Sequence, residues 1–160
     1  MGGKVPRTSR RNRRGIATVE FAVVLPVIMA ALLGIWELGR MADVKEILCN
    51  AASVGGRTAS TGQNSAAQAQ TAVVNYLALA GIPTQSVTVT VKDLTNPGTD
   101  PTAATALDQL QVIVSIPFSA VSWSATSMFV PSTTLLSVTV VWYSANAESY
   151  PTSITVPVGS

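Results

Sequence analysis

The sequence predicts an α+β chain: a long N-terminal membrane-spanning helix, a short second helix and a small antiparallel sheet of three to four strands. Three observations predict it. Residues 16–36 form an apolar run of 21 residues whose sole ionisable side chain is Glu20. Apolar residues then recur at spacings of three and four, first from Leu38 to Val54 and again from Ala69 to Ala80. Beyond Pro83 the apolar period changes to two, which is the period of a pleated strand.

The apolar run sets the topology. At about 1.5 Å per residue it measures about 31 Å, enough to cross a bilayer. A secretory apolar region is shorter, about 7–15 residues, and ends at a small-residue cleavage site. This one continues through Trp36-Glu37-Leu38-Gly39-Arg40, which disfavours an ordinary cleaved signal peptide. Six of the ten basic residues (Lys4, Arg7, Arg10, Arg11, Arg13 and Arg14) precede it, so residues 1–15 stay cytoplasmic and residues 41–160 are exported. The Ser9-Arg10-Arg11 doublet lacks the apolar continuation of a twin-arginine signal, having Asn12-Arg13-Arg14 in its place.

Past the span, Leu38, Met41, Ala42, Val44, Ile47, Leu48, Ala51, Ala52 and Val54 continue one helix into the exported part. Its end is expected near Gly55-Gly56, or by fraying through Arg57 to Ser60, because Thr61-Gly62-Gln63 supplies a break. Ser65-Ala66-Ala67-Gln68 has the capping-box form, and the stripe Ala69, Ala72, Val73, Tyr76, Leu77, Ala80 closes at Gly81 and Pro83. That places a second helix over about residues 65–80.

Val87, Val89 and Val91 alternate with Thr88, Thr90 and Lys92 in a half-buried strand over about 85–93, followed by a turn-rich loop through Asn96-Pro97-Gly98. Leu110, Val112, Val114 and Ile116 share one face of a strand over about 107–117; Leu136, Val138, Val140 and Trp142 share one over about 134–145. Between them, residues 118–130 have irregular spacing and fit either a short amphipathic helix or a covering loop. The domain organisation is thus a basic leader (1–15), a long helix (16–60, transmembrane over about 16–36) and an exported α+β domain (61–160).

Composition narrows the function. The chain carries 10 basic and 8 acidic residues; removing residues 1–15 leaves four against eight, a net charge of −4, so the basic character belongs to the leader. A basic arm beside an apolar span reads as a topology signal, and no nucleic-acid partner is expected. With one cysteine, no histidine and scattered carboxylates, neither a metal-ligand cluster nor a nucleophile–base arrangement can be assembled, and the glycines form no phosphate-binding loop. No enzyme, cofactor or metal is expected. Cys49 reads as a small buried hydrophobe, and Trp123, Trp142 and Tyr143 as core or interface packing.

Residues 14–40 resemble the TadE-like family, the pseudopilin or minor pilin-like proteins of tight-adherence (Flp, type IVc) pilus systems. The residues that carry the resemblance are Arg14-Gly15, Val19-Glu20-Phe21-Ala22, Leu25-Pro26, Gly34 and Glu37-Leu38-Gly39-Arg40. The remainder matches only loosely. The resemblance implies a pilin-like fold and cleavage by a prepilin peptidase after Gly15, exposing Ile16 as the mature N-terminus. Glu20 would then be the fifth residue of the mature chain, and Glu20, Phe21, Pro26, Glu37 and Arg40 the residues concerned with assembly.

The same residues can be weighed physically. A carboxylate near the inner edge of a membrane costs a few kcal/mol and is expected to find a cation. For Glu20 that cation is the amine of a processed Ile16, its own or a neighbouring subunit's; the alternative is that it snorkels to the interface and pairs with nothing specific. Pro26 removes the amide that would bond to Ala22 and loosens the helix there, either to ease departure from the bilayer or as a harmless kink. Ala30, Ala31, Gly34 and Gly39 let another helix approach. Glu37 and Arg40 are three apart and can pair within the helix, be merely solvated, or bridge to an adjacent subunit.

The expected function is therefore a processed subunit of a tight-adherence pilus, assembled with other pilin or pseudopilin subunits for adhesion or secretion and seated in a bacterial inner membrane with its C-terminal domain in the periplasm or on the cell surface. The alternative is a signal-anchored envelope protein whose outer domain binds a ligand or partner. The leader is lost in the first and retained in the second.

Overall fold

The computed structural model describes the backbone of residues 11–122, 130–131 and 133–146, with side chains from residue 15. Helix α1 runs unbroken from Arg11 to Ser60, and at 50 residues it is about 75 Å long. Helix α2 (Ala66–Leu79) turns back against it, and three strands follow: β1 (Thr88–Asp93), β2 (Gln109–Pro117) and β3 (Leu135–Tyr143). The sheet is antiparallel in the order β1-β2-β3, with Val112 opposite both Val91 and Val140. The α+β class and the three antiparallel strands agree with the alternating patterns of the sequence.

Helix α1 divides sharply along its length. From Gly15 to Trp36 no residue is buried, whereas Glu37, Val44, Leu48, Ala51, Ala52, Gly55, Gly56 and Ala59 are. The second half is a wall of the folded head. Its core joins Val44, Leu48, Ala51 and Ala52 to Val73 and Leu77 of α2, Val112, Val114 and Ile116 of β2, and Leu136 of β3. Full burial of each such aliphatic side chain stabilises by about 1.5–3 kcal/mol. As the middle strand, β2 has Leu110, Val112, Val114 and Ile116 all fully buried, which is the face the alternation predicts.

The glycine pair does not end α1. A Cβ on Gly55 would stand 2.5 Å from Val73 Cγ2, and one on Gly56 would overlap the Trp142 indole. These glycines are where α2 and β3 approach the helix axis, so they serve packing inside the helix and the break comes later, with Gly62 at φ +67°. The predicted apolar stripe also needs trimming, since Leu38 is 62% exposed and Ala42 is exposed. Cys49, expected to be buried, is exposed, because the head packs against the 44/48/51/52 side of the helix.

Helix α2 begins as its sequence dictates. Gln68 N–H donates to Ser65 Oγ, and Ser65 N–H donates to Gln68 Oε1 at 2.8 Å, the reciprocal pair of a capping box. At the other end Gly81 takes φ +75°, and Ile82 N–H donates to Leu77 O at 3.0 Å, which swings Ile82 into the core. Strand β1 starts later than the periodicity suggests, because residues 84–86 form a 3-10 turn. The β1–β2 loop is held by carboxylates. Asp93 Oδ1 accepts from Thr95 N–H and Asn96 N–H, and Asp108 Oδ2 accepts from Thr105 N–H, Thr105 Oγ1 and Asn96 Nδ2. Asp100 Oδ2 accepts from Ala66 N–H, and its Oδ1 accepts from Thr102; the Thr102 and Ala66 amides hold its carboxyl below the usual aspartate range. Of residues 118–130, Phe118–Ala120 form a 3-10 turn with Phe118 and Val121 buried; residues 123–129, including Trp123, lie outside the described residues.

Candidate functional site

The residues expected to matter fall on α1 in two groups. Gly15, Ile16, Val19 and Glu20 surround one open depression on the helix surface. Glu20 is one turn beyond Ile16, about 6 Å along the axis, so a charged amine at Ile16 would lie within reach of its carboxylate. Both side chains are exposed, as are those of Phe21 and the neighbouring valines. A Cβ on Gly15 would meet nothing within 4 Å, so the fold places no steric demand for glycine there. Pro26 sits inside the continuous helix, where its missing N–H leaves the Ala22 carbonyl without an intrahelical donor.

The second group stands where the head begins. Glu37 is only 6% exposed, so it is not a solvated acid at the interface. Arg40 Nε–H donates to the carbonyl of Val121 at 3.3 Å and fastens the segment after β2 to the helix. A guanidinium is well suited to that, since its apolar stem can lie along the helix while the head group reaches a backbone oxygen. Glu20 and Glu37 are 17 residues apart, about 26 Å along the axis, so the two groups form separate sites. The partner of Arg40 was not readable from sequence. Val121 is 81 residues away and lies in the irregular segment whose spacing gave no register.

The small residues predicted to admit a second helix are on the bare half or just past it. Ala30 and Gly34 are partly shielded, and a Cβ on Gly39 would meet nothing within 4 Å. Trp142 is half-buried over Gly56, and Tyr143 is 58% exposed. Among the described residues no group of three or more His, Cys, Asp or Glu side chains converges on a point that could hold a metal.

The comparisons with known proteins bear on α1. The family model of TadE-like protein matches residues 15–57, from the glycine at the head of the bare half to the last turn of the helix. The resemblance seen in residues 14–40 is thereby matched and extended through the part of the helix that lines the head. The matched segment is similar to TadE-like protein, and the bare apolar helix fits membrane anchoring. No curated protein and no solved structure matches the chain.

Proposed function

We propose that this chain is a pseudopilin or minor pilin subunit of a tight-adherence (type IVc) pilus system, acting by assembly and not by catalysis. A prepilin peptidase removes residues 1–15 on the cytoplasmic face, and Ile16 becomes the mature N-terminus. The observation that carries this reading is the bare half of α1: 22 residues from Gly15 to Trp36, none buried by the head, with one carboxylate among them. A helix so apolar needs lipid before assembly and neighbouring helices after it. Glu20 then has a role in both settings. In the bilayer it stays near the inner interface, and in the assembly it meets the amine that processing creates, which offsets the few kcal/mol that burying a lone carboxylate costs.

N-terminal sequencing and intact mass of the membrane-extracted protein test the reading. The expected mature chain begins at Ile16. A chain that retains residues 1–15 would instead be a signal-anchored envelope protein. The Gly15→Phe variant should remain full length in the membrane, and misfolding would not account for that, because a side chain at position 15 points into open space.

A further inference from the structure

We propose that the exported head stands directly on the membrane, with the start of β3 forming a foot that rests in the outer headgroup layer. The proposal rests on the reading of residues 16–36 as a span. Two independent observations put Leu135 at the height where that span ends. The first is a length argument. Ala145 N–H donates to Ser60 O at 2.8 Å, which ties the far end of β3 to the far end of α1. Descending ten residues along the strand to Leu135 covers about 33 Å, and about 33 Å down α1 from Ser60 reaches Leu38. The second is a chain of contacts. Leu135 pairs with Pro117, Phe118 N–H donates to Thr134 O at 2.8 Å, and Val121, three residues on from Phe118, is held to Arg40.

The surface at that height suits lipid. Leu135 is 61% exposed, Leu38 62% and Trp36 68%. On the same face of β3 the next two residues are Ser137 and Thr139, both exposed, so Leu135 is set apart by polar residues from Val141 and Tyr143 farther up. Glu37, the carboxylate at this level, is tucked beneath the head and presents little charge to the bilayer. An indole at the end of a span is a usual interfacial anchor, and large aliphatic side chains beside it are stabilised by entering the same layer. Leu135 stands at the level where the apolar span ends, which is why lipid is the occupant proposed for it.

Spin labels on the full-length chain, reconstituted into phosphatidylcholine vesicles in a Cys49→Ser background, test this. Labels go on Leu135→Cys at the foot, Tyr143→Cys at the far end of the same strand face, and Val24→Cys within the span. All three positions are at least half exposed, so labelling does not disturb the core. The expected result at 135 is loss of collision with a water-soluble nickel complex together with strong collision with oxygen, as at 24, while 143 stays open to nickel. Nickel access at 135 equal to that at 143, with 24 protected, overturns the foot and leaves the span. Weak collision with both reagents at 135 means burial against protein and overturns it too. Nickel access at 24 removes the span, and the foot with it.

Discussion

Gly56 of α1 and Trp142 of β3 approach so closely that even a methyl group on the glycine would overlap the indole at Cδ1 and Nε1. The indole is thereby seated across the helix backbone, and the end of the sheet is drawn onto α1.

Substitution at this contact is expected to have the opposite sign to substitution at a glycine elsewhere on the same helix. Gly56→Ala should destabilise the head by about 1–3 kcal/mol through overpacking. Gly39→Ala, whose added carbon meets nothing, should stabilise by about 0.5–1 kcal/mol through helix propensity. Thermal melts of the detergent-solubilised chain decide it; equal shifts for the two variants would refute the close approach.

The sheet register makes a second expectation. Val114 is fully buried and Thr88 is exposed, so Val114→Asn should cost about 3 kcal/mol or more and Thr88→Asn within about 0.5 kcal/mol. Urea unfolding followed by circular dichroism reads the difference. Equal tolerance at the two positions would mean that β2 faces the other way.

Asp100 gives a pH dependence. Its carboxyl is held below the ordinary aspartate value by the Thr102 and Ala66 amides, so the folded state favours the charged form. The stability it contributes is therefore present above the unfolded value near 3.8 and is lost as pH falls through the lower folded value. Removing a carboxylate that caps a helix end typically costs about 1 kcal/mol. Asp100→Ala should therefore lie below the parent protein at neutral pH, and the gap should close under acid conditions. A gap that is constant with pH would mean that the charge contributes nothing.

Cys49 is exposed and lies 13 residues beyond Trp36, on the side of the span that the proposed topology exports. A membrane-impermeant maleimide should label it on intact spheroplasts without detergent. Labelling that requires permeabilisation would reverse the topology.

Glu20→Gln should still be cleaved and inserted, because the change makes the span more apolar. It should nevertheless accumulate in the membrane and be depleted from sheared surface fractions, since the partner amine loses its carboxylate. Normal recovery in those fractions would reduce Glu20 to a tolerated interfacial acid.

Local chemistry was readable from the sequence and long-range contact was not. The capping box at Ser65 and Gln68, the closing Gly81 and the buried face of β2 follow from neighbours a few residues apart, and each is found in the structure. The misread features depend on elements far away in the chain. Of the two helix ends expected, Ser60 is the one found, and Gly55 and Gly56 resemble a stop only until Val73 and Trp142 are seen against them; Cys49 looks apolar by its neighbours while the head packs on another side of the helix. Within the candidate site, the exposure of Ile16, Glu20 and Phe21 followed from an apolar run too long to be covered by so small a head. The burial of Glu37 and the hold of Arg40 on Val121 did not, because they depend on where the β2–β3 connection comes to rest.

A single helix crosses from the bare half to the head without a break, so the two are geared together. Each residue advances the helix by about 100° and 1.5 Å, which means that the compass bearing of the head is fixed by the number of residues between Glu20 and Glu37. One residue inserted after Trp36 would turn the head by about 100° relative to the face that carries Glu20 and leave every contact within the head intact. Seven would return it to within about 20° of its original bearing, raised by about 10 Å. A subunit lengthened by one residue would thus be well folded and facing the wrong way.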